Sequence, residues 1–228
     1  MPDLTRDGDV FILDLGADEN RLHPTLLAEV NAALDEVEAV DGPRALVTTA
    51  GGKHWSNGLD LDWLGRNPDR LNSYVDDVHR LLARVLALPV PTVAALRGHA
   101  FAAGAMLALA HDFRVMREDR GFFCLPEVDI HIPFTPGMTA LIQARLPNRT
   151  AHEAMTTGRR YGGNDAVAAA IVDVVAAEDE VLTRAVEMAR PLAGKPAHTL
   201  GIIKSRMYAA PLAALRESAA NAFGPDAG

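Results

Sequence analysis

One cysteine in 228 residues is the first conspicuous shortage. A lone thiol, Cys124, excludes an internal disulfide framework and any zinc site built on paired cysteines, and it fits a reducing compartment best. Long apolar runs are also missing, since none approaches the roughly 20 residues that span a bilayer. The opening MPDLTRDGDV has no apolar core of the kind a secretory leader needs, and the closing GPDAG carries no recognisable address. A cytoplasmic location is therefore expected. Basic charge is in deficit: 22 Lys and Arg stand against 30 Asp and Glu, a net −8. Nucleic acid and anionic membranes are accordingly not expected as partners, and an anionic ligand would need a local cluster of cations or helix N-termini. There is no low-complexity linker either, because the prolines and glycines are scattered as punctuation.

What remains is an ordinary globular composition, 49% apolar and 23% charged, in a length that suits one core with a small extension. Residues 10–15 alternate as a strand buried mainly on one face. Leu26, Leu27, Val30, Leu34 and Val37 recur at helical spacing, with Pro24 near the start and Asp41-Gly42-Pro43 at the end. Residues 45–49 read as a short buried strand leading into a glycine-bearing loop over 51–58. Leu71, Val75, Val78, Leu82 and Val85 form one stripe of a long helix that Pro89 and Pro91 stop before a strand at 92–96. A second small-residue loop, 98–104, runs into an apolar helix through about His111, and short strands are expected at 114–116 and 121–125. After Pro126 the chain reads as helical, broken near Pro147, Gly158, Gly162, Pro196 and Pro211. Strands alternating with helices before a helical tail predict an α/β core over 1–190 and a helical extension over 191–228, acting as one unit.

Three segments carry the chemistry: KHWSNGLDLDWL from Lys53, RGHAFAAGAMLALAHDFRVM from Arg97, and FFCLPEVDIHIPFTPGM from Phe122. In this order and spacing they resemble the enoyl-CoA hydratase/isomerase, or crotonase, family over roughly the first three quarters of the chain. The resemblance implies a spiral of repeated ββα units with a helical C-terminal extension, assembled as homotrimers or pairs of trimers. It implies an acyl-CoA thioester as substrate, with CoA entering as part of that substrate and neither metal nor further cofactor. In such proteins the thioester oxygen sits between two backbone amides, which by motif position are those of Leu59 and Ala103. Donors fixed in advance serve a developing oxyanion with little reorganisation, and the small residues beside them let backbone approach ligand closely.

Hydratases of this family carry two glutamates; here the first position is Met106 and the second is Glu127. Activating water while delivering a proton is natural work for two carboxylates. Moving a double bond is a smaller task, which one carboxylate performs by taking a proton from C2 of a 3-enoyl-CoA and returning it to C4. Met106 has no acid–base capacity and its thioether helps exclude water. Together with Leu59 and Leu61, it resembles Δ3,Δ2-enoyl-CoA isomerases of fatty-acid metabolism more than hydratases. Apolar neighbours at Phe122, Phe123, Leu125, Val128, Ile130 and Ile132 predict a raised pKa for Glu127. Lys53, Ser56, Gly58, Leu61, Gly104 and Met106 are expected along the bound ester. Lys53 leads the candidates for CoA phosphate contacts, before Arg97 and Lys204.

Other residues leave their roles open. His131, where the family more often has a small residue, could touch the site, tune Glu127 or face solvent. His54 and His99 are expected to support turns or be exposed, Asp112 to fix a turn, and Cys124 to pack in the core. Ser56 beside His54 suggests a hydrolase but finds no orienting acid. Trp55, Trp63 and Leu64 fit either the cleft or the core. Competing with the isomerase are a hydratase with an unusual water-activating group, a thioester hydrolase, and a non-catalytic acyl-CoA-binding subunit.

Overall fold

A computed structural model describes residues 2–221. Its first two thirds repeat one pattern, two strands followed by helix. β1 (Asp3–Asp7), β2 (Val10–Asp14) and α1 (Pro24–Ala39) make the first turn. β3 (Ala45–Thr49), β4 (His54–Ser56), the short α2 (Leu61–Arg66) and α3 (Leu71–Ala87) make the second. The third is β5 (Thr92–Leu96), β6 (His99–Phe101) and α4 (Ala103–Ala110), and the fourth is β7 (Phe113–Arg117), β8 (Phe123–Cys124) and α5 (Pro136–Arg145). The chain continues through α6 (Asn148–Thr157), α7 (Gly163–Ala168), β9 (Val174–Ala176), α8 (Val181–Ala189), α9 (Ala197–Met207) and α10 (Ala209–Arg216).

In the second, third and fourth turns the two strands go to different sheets, whereas β1 and β2 both join the larger one. Among the described residues the larger sheet has the order β1-β2-β3-β5-β7-β9 and the smaller has β4-β6-β8. Apart from the β1–β2 hairpin, every pairing between these strands is parallel. β3 and β5 are buried at every position, as expected of parallel strands covered on both faces. Their alternate residues show what covers each face. Val47, Val93 and Ala95 pack with Val181, Ala185 and Ala189 of α8, whereas Leu46, Ala94 and Leu96 join the main core with α1, α3, α4 and α5. Inward-facing Val75, Val78, Leu82 and Val85 of α3 are all buried there, joined by Tyr74, Leu81 and Leu86.

β4 and β6 lie inside segments expected to be loops. Three-residue strands show no readable periodicity, and only their pairing with each other and with β8 makes them strands. β9 was likewise expected to be helical; it is a three-residue edge strand on β7. Of the expected extension, α10 lies across α5 and α3: a Cβ added to Gly137 of α5 would sit 2.9 Å from the Leu215 Cα. Residues 222–228 lie outside the described part.

Candidate active site

The strands of the small sheet end together, and the three segments leaving them converge. From β4 the chain enters Asn57-Gly58-Leu59, a loop held by named bonds. Asn57 N donates to Glu19 O, Gly58 O accepts from Leu22 N at 2.8 Å, and Leu61 N donates to Leu59 O. Gly58 N donates to Ser56 Oγ, and Asp60 N donates to the Tyr74 hydroxyl, which itself donates to Leu22 O at 2.8 Å. Of the amides from Asn57 to Leu61, Leu59's is the one with no acceptor among the described residues.

The second segment leaves β6 through Ala102, whose φ of 50° and ψ of −127° are costly for a residue with a Cβ. That turn makes Ala103 the first residue of α4, where an amide has no intrahelical acceptor. Gly58, at φ 79°, lies against this turn: a Cβ there would come within 3.1 Å of Ala103 N. The two loops are therefore in contact, each with an unspent amide, and the N-terminal end of α4 adds favourable potential for negative charge.

The third segment, after β8, is Pro126-Glu127. Asp129 N and Ile130 N donate to Pro126 O, and Ile132 N donates to Glu127 O, winding the backbone into a tight turn. Glu127 is 5% exposed and its Oε2 has no hydrogen-bond partner among the described residues. Burial pushes its pKa up to about 7, opposed only by a backbone hydrogen bond. It faces a cavity of about 360 Å³ whose apolar walls include Leu59, Leu61, Val75, Met106, Ile130 and Met138. Ala103 also lines it. Asp62, a second carboxylate on the lining, is largely exposed and pairs with Arg21 at 2.5 Å. Thr135 adds a hydroxyl: its Oγ1 accepts from Met138 N and lies 2.8 Å from Nε2 of the buried His79.

So the structure gathers Leu59, Leu61, Ala103, Met106 and Glu127 around one cavity and leaves other expected contacts outside it. Ser56 is fully buried; its hydroxyl donates to Asn20 O at 2.7 Å, so it braces the first loop from behind rather than meeting a ligand. Gly58 and Gly104 are buried spacers between the loops. Lys53 and Arg97 lie on the opposite edge of the small sheet, in a separate cleft. Lys204 is corrected most plainly: it is 2% exposed, and its Nζ donates to Val90 O at 2.9 Å and to Asp112 Oδ2 at 2.6 Å. Chain burial consumes that cation.

His131 is exposed, at φ 58°, and off the cavity lining. His54 and His99 pair with their ring centroids 5.4 Å apart beside Phe101. Buried His111 bonds Leu107 O and Thr48 Oγ1, and burial pushes its pKa down to about 4. Cys124 Sγ donates to Gly158 O, and burial raises its pKa to about 11, which leaves it inert as a nucleophile. Trp55 is in the core, and Trp63 packs on Tyr74 beside it. Sequence reasoning gave Val75 only a core role on the α3 stripe and missed Met138 of α5, which reads as another apolar helix residue, and Arg21, which lies in the loop before α1 and has nothing beside it in sequence to mark it. Thr135 lay within a quoted segment but had no partner in the sequence to mark it.

Known proteins resemble this chain over most of its length. Two Arabidopsis thaliana relatives each cover 86% of this chain and are covered to 86% themselves. "Enoyl-CoA delta isomerase 3" is 39% identical over 204 residues, and "Enoyl-CoA delta isomerase 2, peroxisomal" is 37% identical over 206. The solved apo structure of a Mycobacterium tuberculosis enoyl-CoA isomerase superposes with a TM-score of 0.87 at 30% identity, covering 94% of each chain. The profile of the family described as enoyl-CoA hydratase/isomerase matches residues 12–222, a span that takes in both amide-bearing loops, Met106 and Glu127. With its alternating strands split between two sheets in the crotonase fold, the chain belongs to the enoyl-CoA hydratase/isomerase family.

Proposed function

We propose that this protein is a Δ3,Δ2-enoyl-CoA isomerase that works with a single carboxylate. The observation that carries the reading is Glu127, buried, unpartnered, and facing a cavity whose helix α4 wall presents Met106 where a hydratase would place a second carboxylate. In a 3-enoyl-CoA the C2 protons are acidified by the thioester carbonyl on one side and the C3–C4 double bond on the other. Glu127 removes one of them, and the electron pair moves onto the thioester oxygen, held by the amides of Leu59 and Ala103. The protonated Glu127 then delivers the proton to C4, and the double bond closes between C2 and C3. A pKa of about 7 suits both halves of this exchange, because the group must be base and acid in turn.

No cofactor beyond the CoA carried by the substrate enters this scheme. We also propose self-association into trimers, which the exposed Ile202, Ile203 and Met207 on α9 support. The buried thiol suits a reducing compartment, for which cytoplasm remains our proposal; among the described residues no helix is long and apolar enough to cross a membrane. The deciding experiment offers 3-enoyl-CoA and 2-enoyl-CoA separately and identifies the products. Conjugated 2-enoyl-CoA from the first supports the isomerase. Rapid 3-hydroxyacyl-CoA formation from the second, with no conversion of the first, assigns a hydratase instead.

A further inference from the structure

The N-terminus of α5 carries a polar pair that the reaction scheme leaves unused. Thr135 caps the helix: its Oγ1 accepts from Met138 N at 3.2 Å, and Nε2 of His79 lies 2.8 Å from the same oxygen. Both residues are buried, Thr135 at 1% exposure and His79 at 2%. Thr135 borders the reaction cavity together with Val75, which stands one helical turn before His79 on α3.

Proton counting fixes the direction of this contact. Burial lowers the pKa of His79 against the upward pull of Asp76, so the ring is neutral and carries a single N–H. Its Nδ1 has no partner among the described residues. A proton on Nδ1 would therefore be an orphaned buried donor, which native interiors tolerate less readily than an under-used acceptor. The proton belongs on Nε2, from which it is donated to Thr135 Oγ1. That oxygen then accepts twice, from Met138 and from His79, which fills both acceptor sites of a hydroxyl. The hydroxyl's own proton is left without an acceptor among the described residues, in a side chain that borders the cavity.

Two carboxylates border the same cavity. Asp62 is largely exposed and tied to Arg21, whereas Glu127 is buried with its Oε2 unpartnered. A spare donor and a spare acceptor thus share one enclosed, mainly apolar space. We infer that Thr135 is a positioning residue whose hydroxyl donates to the ionised Glu127 carboxylate, with His79 turning the hydroxyl towards it. The two are not bonded in this structure, so the carboxylate meets the donor by turning about its side-chain torsions. Such turning is also what one group needs in order to serve C2 and then C4, and the inference deepens the single-carboxylate reaction proposed above and rests on it. A hydrogen bond of this kind favours the charged base over the neutral acid. Neighbouring titratable groups are otherwise engaged: Arg21 and Asp62 pair with each other, Asp129 of the same turn has its carboxylate against Gly158, and burial keeps Cys124 of β8 a thiol.

The test is an infrared titration of the Glu127 carboxyl band in the full chain without substrate, with Glu127→Gln as the blank, beside kcat and KM for 3-enoyl-CoA. Thr135→Val is expected to raise the midpoint by about one unit and to lower kcat about tenfold with KM kept within about twofold, the size of one hydrogen bond to a charged group. Thr135→Ser keeps the hydroxyl and the cap, and should restore both. Because valine also removes the cap of α5, His79→Phe is measured too; it leaves the cap in place and frees the hydroxyl to turn away, so the midpoint should again rise. A midpoint unchanged in the folded valine and phenylalanine variants overturns the inference, as does a loss of kcat that Thr135→Ser does not restore. The infrared titration needs no turnover, so a parent chain that fails to convert 3-enoyl-CoA overturns the isomerase reading while the midpoints still decide this one.

Discussion

A Cβ built on Gly104 falls 2.6 Å from both the carbonyl oxygen and the hydroxyl oxygen of Ser56. The second loop can approach the first only because position 104 has no side chain. Gly104→Val is therefore expected to push the Ala103 amide out of place and to lower kcat/KM by about 10²–10³-fold, the range for loss of an oxyanion donor. Ala103→Gly keeps the amide and should cost less than about 1 kcal/mol of stability, with little loss of turnover. Steady-state kinetics on the folded variants checks both. Equal losses would show that this loop does not hold the thioester oxygen.

Glu127→Gln should abolish isomerisation while CoA-ester binding stays close to parental, because Gln keeps the shape and cannot take a proton. In the parent, kcat/KM should rise with pH through a midpoint near 7, as the buried carboxylate ionises into its basic form. Stability runs the other way. The folded pKa lies above the ordinary carboxylate value, so its stabilising contribution is complete below about pH 4.5 and is lost as pH rises towards about 7. Glu127→Gln should therefore be more stable than the parent at pH 8 by roughly 1–3 kcal/mol and lose that advantage by pH 4.5. Urea denaturation at the two pH values measures it, and an unchanged difference would remove the buried, neutral carboxyl from the account.

Met106→Glu should introduce slight hydration of 2-enoyl-CoA. Met106 is 1% exposed and lines the cavity with Glu127, so the substitution supplies a second carboxylate beside it. Burying that charge should cost about 2–4 kcal/mol, and the gain should be small. The measurement is 3-hydroxyacyl-CoA formed by the folded variant, against the parent and Met106→Gln. If the Gln variant hydrates equally well, a second carboxylate is not what separates the two reactions here.

His131→Gly tests whether the histidine is more than a turn residue. Its φ of 58° is strained for any residue with a Cβ. Glycine should leave stability unchanged or raise it by up to about 1 kcal/mol, with activity kept within about twofold. A tenfold fall in kcat in a protein of parental stability would give the imidazole a part in the reaction.

The sequence by itself determined the elements whose pattern is long enough to repeat. α1 and α3 follow from their stripes, and β3 and β5 from continuous apolar runs between turn residues. It also determined the chemical types available: one glutamate after a proline, a methionine where a second acid would stand, and two small-residue loops. Only the tertiary structure decided what meets what. β4 and β6 are three residues long and exist as strands through pairing with each other and with β8, which was expected, and their common direction brings segments some 70 positions apart to one cavity edge. The same crossing sends Lys53 and Arg97 to the opposite edge, and helix packing buries Lys204 against Asp112. A cation's sequence neighbours say nothing of this, because charge is satisfied by whatever lies near in space, and that is fixed by the pairing of strands rather than by the residues beside it.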